Sequence, residues 1–321
     1  MLLLGQQLNS GILPLKSLKT SIREYLQLRR SLGHKLEGTE RDLKKFADFL
    51  ADRSVAFITT KLALEWARLP KNSQPANWSR RLAIVRLFAQ YHSAVDRRTE
   101  VPPRKLLAHK PRRAKPYIYS DEEIHRLVQA CQHLRSRGLR HHTYFTFFGL
   151  MATTGCRISE LIALNREDFN DKERIVKIHN SKFGKSRLLV LHGSTVRELK
   201  KYTATRDQFH RHPKTNSFFV SDSGTRLTRW SVRWAFIRVS KQIGLRKPSD
   251  SHGPRIHDIR HTFAVKTILR WYAEGVDVNQ KIVLLTTYLG HKKPSDTYWY
   301  VTGVPELLCA AASRLESHLG E

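Results

Sequence analysis

The chain has 321 residues, 40% of them hydrophobic, which is enough to build one large core or two and excludes a disordered polypeptide. Lysine and arginine total 57 against 28 acidic residues, a net charge of +29; a surplus of that size is tolerated when the partner is a polyanion, with DNA or RNA foremost. Three widely spaced cysteines, Cys131, Cys156 and Cys309, form no CxxC pair, which argues against a disulfide scaffold or zinc knuckle and fits a reducing cytoplasm.

The opening MLLLGQQLNSGILPL has neither a basic leader region nor a long apolar core, so no signal peptide is expected. No stretch approaches the roughly 18 apolar residues a membrane helix needs. Four short helices are then predicted. Ile22, Tyr25, Leu26, Leu28 and Leu32 recur at three- and four-residue spacing, making one apolar stripe. Leu43, Phe46, Phe49 and Leu50 repeat the pattern, with Thr39 and Asp42 as a capping pair near the start. Leu62, Leu64, Trp66 and Leu69 mark a third helix ended by Pro70, and the stretch from Trp78 to Tyr91 a fourth. Residues 1–96 therefore read as a small helical bundle.

Residues 97–116, RRTEVPPRKLLAHKPRRAKP, carry prolines and cations but almost no core material. Prolines bias such a stretch to extended conformations. It reads as a basic linker in which Arg104, Lys105, Lys110, Arg112 and Arg113 touch phosphates; the competing reading is a solvated loop.

Beyond it, Ser120 and Glu123 form a capping box opening a helix with Ile124, Leu127 and Val128 on its apolar face. The run YFTFFGLMATT predicts a helix buried on most sides. Residues 174–191 alternate as two strands around the turn SKFGK. Helices resume near Thr195, Arg229, Arg260, Lys281, Pro294 and Pro305. Residues 117–321 are thus a mostly helical domain with one small antiparallel sheet, and the chain as a whole is mainly α, in the α+β class.

Breaking a phosphodiester without a metal requires a nucleophile, cations on the non-bridging oxygens and an acid for the leaving oxygen. Arginine suits the oxygens because its planar fork donates two parallel hydrogen bonds and stays charged. The spacing HxxR occurs at His109–Arg112, His252–Arg255 and His257–Arg260. The first lies in the linker and the second straddles a Gly-Pro turn. Only His257–Arg260 opens an apolar helix, where the two side chains share one face and the helix N-terminus favours an anion.

HDIRHTFA resembles the second conserved box of the tyrosine recombinase (phage integrase) family, and ATTGCRISELIALNREDF at 152–169 resembles the first, with Arg157 as its arginine. SKFGKSR is similar to the family's hairpin lysine motif, with Lys182 at the catalytic position and Lys185 as the runner-up. YLGHKKPSDTYWYV resembles the third box and nucleophile region, with His291 and Tyr300 at the matching places. Four motifs in order across 152–300 carry the resemblance, and the N-terminal bundle is similar to the family's core-binding domain.

What the resemblance implies is specific. Tyr300 attacks the scissile phosphate to give a 3′-phosphotyrosyl link and a free 5′ hydroxyl. Arg157 and Arg260 clamp the phosphate, Lys182 protonates the leaving oxygen, and His257 and His291 assist proton transfer. No cofactor, metal or ATP is needed. The implied partners are double-stranded DNA, further copies of the chain in a tetramer on two sites, and related recombinases or accessory proteins, in the cytoplasm at the nucleoid. Bundle and catalytic domain would grip opposite faces of the duplex, and a final helix with Leu307, Leu308, Ala311 and Leu315 would dock in trans or in cis.

Duller readings stand beside these. Arg157 serves equally to pair with Glu160, His291 to cap a helix after Gly290, and Asp258 and His261 to support structure. Tyr298 rivals Tyr300, but two residues on a helix is about 200° of rotation, so only one ring reaches the phosphate. TYWYVTGVPELL resembles recombinases carried by transposons and integrative elements. An Xer-like chromosome-dimer resolvase, a type IB topoisomerase and a non-catalytic DNA-binding regulator are the alternatives.

Overall fold

The computed structural model describes residues 17–34, 36–107, 115–136, 138–179, 186–250, 253–291, 293, 295–303, 307–309, 312 and 316. Lys110, Arg112, Arg113, Lys182 and Lys185 lie outside the described residues, as does most of the expected final helix. The chain divides into two compact units between Arg113 and Ala114.

The first unit holds α1 (Leu18–Ser31), α2 (Glu37–Ala51), α3 (Thr60–Arg68) and α4 (Pro75–His92). Ser17 caps α1 by accepting the Thr20 amide. Ile22, Tyr25 and Leu26 of α1 pack with Leu43, Phe46 and Leu50 of α2, Trp66 of α3 and Val85 and Phe88 of α4. Leu28 and Leu32, expected on the same stripe, are exposed. Leu28 lies two residues past Leu26, on the far side of the helix, and Leu32 falls after its last turn. The expected Thr39–Asp42 cap is absent: α2 begins earlier, behind Leu36 at φ 51, and the buried Asp42 accepts Arg80 Nη1 at 2.7 Å. Arg81 places its guanidinium carbon over Trp66, 3.6 Å from the ring centroid, and donates to that residue's carbonyl.

Residues 97–107, expected to begin the linker, fold back onto this bundle. Thr99 and Pro102 are buried, and the Glu100 carboxylate accepts the Thr60 amide at 2.7 Å, at the start of α3. Leu107 packs against the bundle core. Proline and charge suggested an extended tether, but one carboxylate at a helix N-terminus and one leucine in a gap hold the segment down.

His92 is enclosed at the end of α4, 1% exposed and stacked on Phe88 at 5.4 Å. Neither ring nitrogen has a hydrogen-bond partner among the described residues. Burial lowers its pKa from 6.5, opposed in part by the Asp96 carboxylate. The unfolded chain therefore binds the proton more readily, so the stabilisation present above pH 6.5 is lost as pH falls below that value. Hydrogen exchange of the full chain should show α4 amides opening more readily at about pH 5 than at about pH 7.5, and His92→Phe should flatten that dependence. An unchanged slope in the variant would remove His92 from the explanation.

The second unit contains α5 (Asp121–Ala130), α6 (Arg140–Thr154), α7 (Ile158–Ala163), β1 (Phe169–Asn170), β2 (Ile175–Ile178), β3 (Arg187–Val190), α8 (Gly193–Phe209), α9 (Arg229–Gln242), α10 (Ile256–Ala273), α11 (Val278–Leu289) and α12 (Ser295–Gly303). The Ser120–Glu123 capping box forms as expected, at 2.8 and 3.0 Å. The three strands make an antiparallel sheet in the order β1-β2-β3. β1, two residues long, is too short to leave a period in the sequence. Helix α6 is the hub, burying Phe147, Phe148 and Met151 among α5, α8 and α10. Among the described residues no helix is long and apolar enough to cross a membrane.

Candidate active site

The site is organised by the ends of two helices. Helix α6 stops at Gly155, with φ +62, and α11 at Gly290, with φ +65. Left-handed backbone favours glycine, which lacks the Cβ that makes it costly. Space requires glycine as well. A Cβ at Gly155 would lie 2.6 Å from the Phe263 ring, and one at Gly290 would lie 2.9 Å from Arg187 Nη1.

A helix C-terminus leaves carbonyls without intrahelical partners and carries partial negative charge. At the end of α11 three consecutive carbonyls each take one arginine. Tyr288 accepts Arg187 Nε at 2.7 Å, Leu289 accepts Arg260 Nη2 at 2.6 Å, and Gly290 accepts Arg157 Nη2 at 3.0 Å. The arginines come from β3, α10 and the N-cap of α7 respectively. Three guanidiniums that would repel one another in water are held together by a row of dipoles and one carboxylate.

That carboxylate is Glu160, buried one turn into α7. It accepts Arg157 Nη1 at 2.7 Å, the Arg157 amide at 2.9 Å, and both terminal nitrogens of Arg187 at 3.1 and 2.9 Å. Burial alone would raise its pKa, but hydrogen bonds and charge from Arg187 and Arg157 hold it at about 2. Arg157 thus both pairs with Glu160 and turns a guanidinium toward a cleft. Arg260 is almost wholly enclosed and donates its other terminal nitrogen to the Gly155 carbonyl at 2.8 Å. Burial, and then the charge of Arg157, lowers its pKa to about 10, so it stays protonated at neutral pH. In these contacts each of the two arginines uses only two of its five N–H groups, leaving donors for an anion.

The cleft, about 540 Å³, is lined by Arg157, Arg229, Arg233, Arg246, Arg255 and His257, with Phe236 and Ile256 beneath. The sequence reading missed four of these arginines. Arg229 and Arg233 stand one turn apart on α9, and that i, i+4 spacing was the available signal. Arg255 lies in the HxxR pair set aside as a turn; it is tied to the buried Asp258 at 2.7 Å.

Behind the cleft wall three rings follow one another. His257 and His261, one turn apart on α10, meet edge to face with centroids 4.7 Å apart. His261 Nδ1 and the Tyr300 hydroxyl are 2.9 Å apart. Burial, then the charge of Arg260, lowers the pKa of His257 to about 4; burial, then His257, lowers that of His261 to about 3. Both imidazoles are neutral before an anion arrives, so a phenol proton on His261 fits its acceptor form. Tyr300 is 2% exposed and lies within electrostatic reach of Arg260, whereas Tyr298 is 41% exposed and faces away. His291 stacks on the Tyr300 ring at 6.3 Å, and its Nδ1 lies 2.7 Å from Thr297 Oγ1, which in turn accepts from Thr286.

The structure therefore gathers Arg157, His257, Arg260, His291 and Tyr300 around the C-terminus of α11, together with Glu160, Arg187 and His261. Arg104 and Lys105 occupy a separate groove of about 610 Å³ in the first unit, beside Arg86 and Gln90 of α4.

A model described as the phage integrase family matches residues 118–305. The putative integrase/recombinase y4rB of Sinorhizobium fredii is 43% identical over 308 residues, covering 94% of this chain and 98% of that protein. Tyrosine recombinase XerD of Staphylococcus epidermidis is 26% identical over 293 residues, covering 88% and 94%. The Tn1549 transposon integrase, solved in complex with transposon right end DNA, shares the fold with a TM-score of 0.65 at 15% identity, over 94% of this chain and all of that one.

Proposed function

The chain belongs to the phage integrase family and is a tyrosine site-specific DNA recombinase, and from that premise we propose that Tyr300 is its nucleophile and the arginines at the α11 C-terminus its phosphate clamp. The observation that carries this reading is the convergence of Arg157 and Arg260 on one helix end, with Arg157 lining the cleft and the Tyr300 phenol held by His261, which packs against the cleft-lining His257.

In the proposed step the Tyr300 oxygen forms a bond to phosphorus as the bond to the 5′ oxygen breaks. Arg157 and Arg260 donate to the two non-bridging oxygens as charge builds on them. The phenol proton passes to a neighbouring imidazole, and Lys182 supplies a proton to the departing 5′ oxygen. His257 and His291 assist proton transfer and hold the phosphate. The new 3′-phosphotyrosyl link conserves the energy of the phosphodiester, so reversal by the 5′ hydroxyl of a partner strand needs neither ATP nor a metal. Because Tyr300 is enclosed and bonded to His261, attack requires α12 to carry the phenol forward into the cleft.

The five arginines of the cleft, and Arg86, Arg104 and Lys105 in the first unit, are assigned to the backbone of double-stranded DNA, where phosphate contacts fix register. With the net charge of +29, affinity should fall steeply with salt. A homotetramer on two DNA sites is the assembly this chemistry calls for, working at the nucleoid, with related recombinases or accessory proteins as further partners. The greater identity to y4rB than to XerD favours integration, excision or transposition of a mobile element over resolution of chromosome dimers.

The test is trapping on DNA. Incubated with the ends of its own element, with chelator present and nucleotide omitted, the chain should yield an adduct that survives denaturing detergent and carries the DNA by its 3′ end. Site-independent relaxation of supercoils would indicate a topoisomerase, and purely non-covalent binding a regulator; either overturns the reading.

A further inference from the structure

Arg187 belongs to none of the positions assigned above, yet its guanidinium makes three of these hydrogen bonds where those of Arg157 and Arg260 make two each. It holds both oxygens of Glu160 and the Tyr288 carbonyl at once, and its side chain is only 10% exposed. Glu160 in turn accepts four hydrogen bonds, two from Arg187 and two from Arg157, which fills the acceptor capacity of a carboxylate. This sharing has a consequence for Arg157. Were Glu160 its carboxylate alone, a buried anion would draw the Arg157 fork into a two-pronged pair and away from any phosphate. With Arg187 taking both oxygens, Arg157 gives Glu160 a single guanidinium contact and turns its second terminal nitrogen to Gly290.

We propose that Arg187 is a positioning residue for the phosphate clamp, fixing the Arg157 guanidinium through Glu160 and through the end of α11. The inference rests on the reading of Arg157 as a clamp residue and adds to it a residue outside the recognised set. Arg187 is not among the described residues that line the cleft; it acts through what Arg157 can reach. A buried ion pair that only stabilises the fold would have no effect on how one phosphate oxygen is distinguished from the other.

The experiment uses the full-length chain and DNA whose scissile phosphate carries sulfur at one non-bridging oxygen, as separated stereoisomers. Arg157 and Arg260 approach from different elements, so the unsubstituted chain should cleave one isomer faster. Arg187→Gln should lower covalent cleavage of ordinary DNA by about 10- to 100-fold, as loss of a supporting partner commonly does, with DNA affinity within a few-fold. It should also compress the stereoisomer ratio. Arg187→Lys keeps the charge and guards against misfolding of the first variant; it should fall between the two in rate and likewise compress the ratio. A ratio unchanged in either folded variant overturns the proposal. So does recovery of the Arg187→Gln rate with sulfur at the bridging 5′ position, because sulfur departs without a proton and recovery would put Arg187 at the leaving group. Arg157→Ala separates the two levels. If that variant keeps the full stereoisomer ratio, the clamp assignment itself has failed; if it loses the ratio while both Arg187 variants keep it, only the present inference has.

Discussion

Tyr300→Phe should bind its DNA with unchanged affinity and form no covalent adduct, a loss of at least about 10⁴-fold in trapped product, since among the described residues no other nucleophile takes the place of the phenol beside His261. The phenyl ring fills the same space among His261, Trp299 and His291, so the fold should persist. The substitution removes the hydroxyl and with it the contact with His261 Nδ1. Tyr298→Phe should leave trapping intact, because that ring lies on the exposed side of α12. A nicked suicide substrate, whose 5′ fragment diffuses away before it can reverse the step, gives the readout. If the two variants exchanged behaviour, the buried tyrosine would be a packing residue and the assignment would fall.

Arg260→Lys should lower trapping by about 10²- to 10³-fold, the usual effect of losing one donor to a developing oxyanion. The substitution retains charge, so the loss would report geometry. A lysine ammonium is a compact point charge; it cannot span the Gly155 and Leu289 carbonyls as the guanidinium does and still meet a phosphate. Leaving a buried carbonyl without its donor should also cost about 1–3 kcal/mol of stability, read as a fall in Tm. An Arg260→Lys chain that cleaved at the original rate would show that position 260 needs only a positive charge, and the clamp geometry would lose its basis.

Some of this arrangement was legible in the residues and some was not. Helices α1 and α5 are set by apolar period and a capping box, and α6 by an unbroken apolar run, signals carried within one stretch of chain. That Tyr300 and Tyr298 lie on opposite sides of α12 follows from helix rotation, and the family-like spacing from His291 chooses Tyr300. The position of Glu160 relative to Arg157 is likewise local, three residues apart. What local sequence does not carry is convergence. Arg187 sits in a strand whose pattern says only that Leu189 is inward, and its partners at Glu160 and Tyr288 are 27 and 101 residues away. His261 reads as one more residue on a buried helix face until Tyr300 is brought against it from 39 residues on. Composition misled at residues 97–107, where prolines and cations mask a segment held by Glu100 and Leu107. The Thr39–Asp42 pair misled similarly, because Asp42 is drawn inward by Arg80. In each case a long-range partner outweighs a short-range preference.

One measurement goes to the centre. After trapping on DNA, nuclease trimming and proteolysis, the peptide spanning residues 293–314 contains both Tyr298 and Tyr300, and fragmentation in the mass spectrometer assigns the residual nucleotide to one of them. The nucleotide should ride on Tyr300. Its appearance on Tyr298, or on a peptide from elsewhere in the chain, would contradict the active site built around the α11 C-terminus.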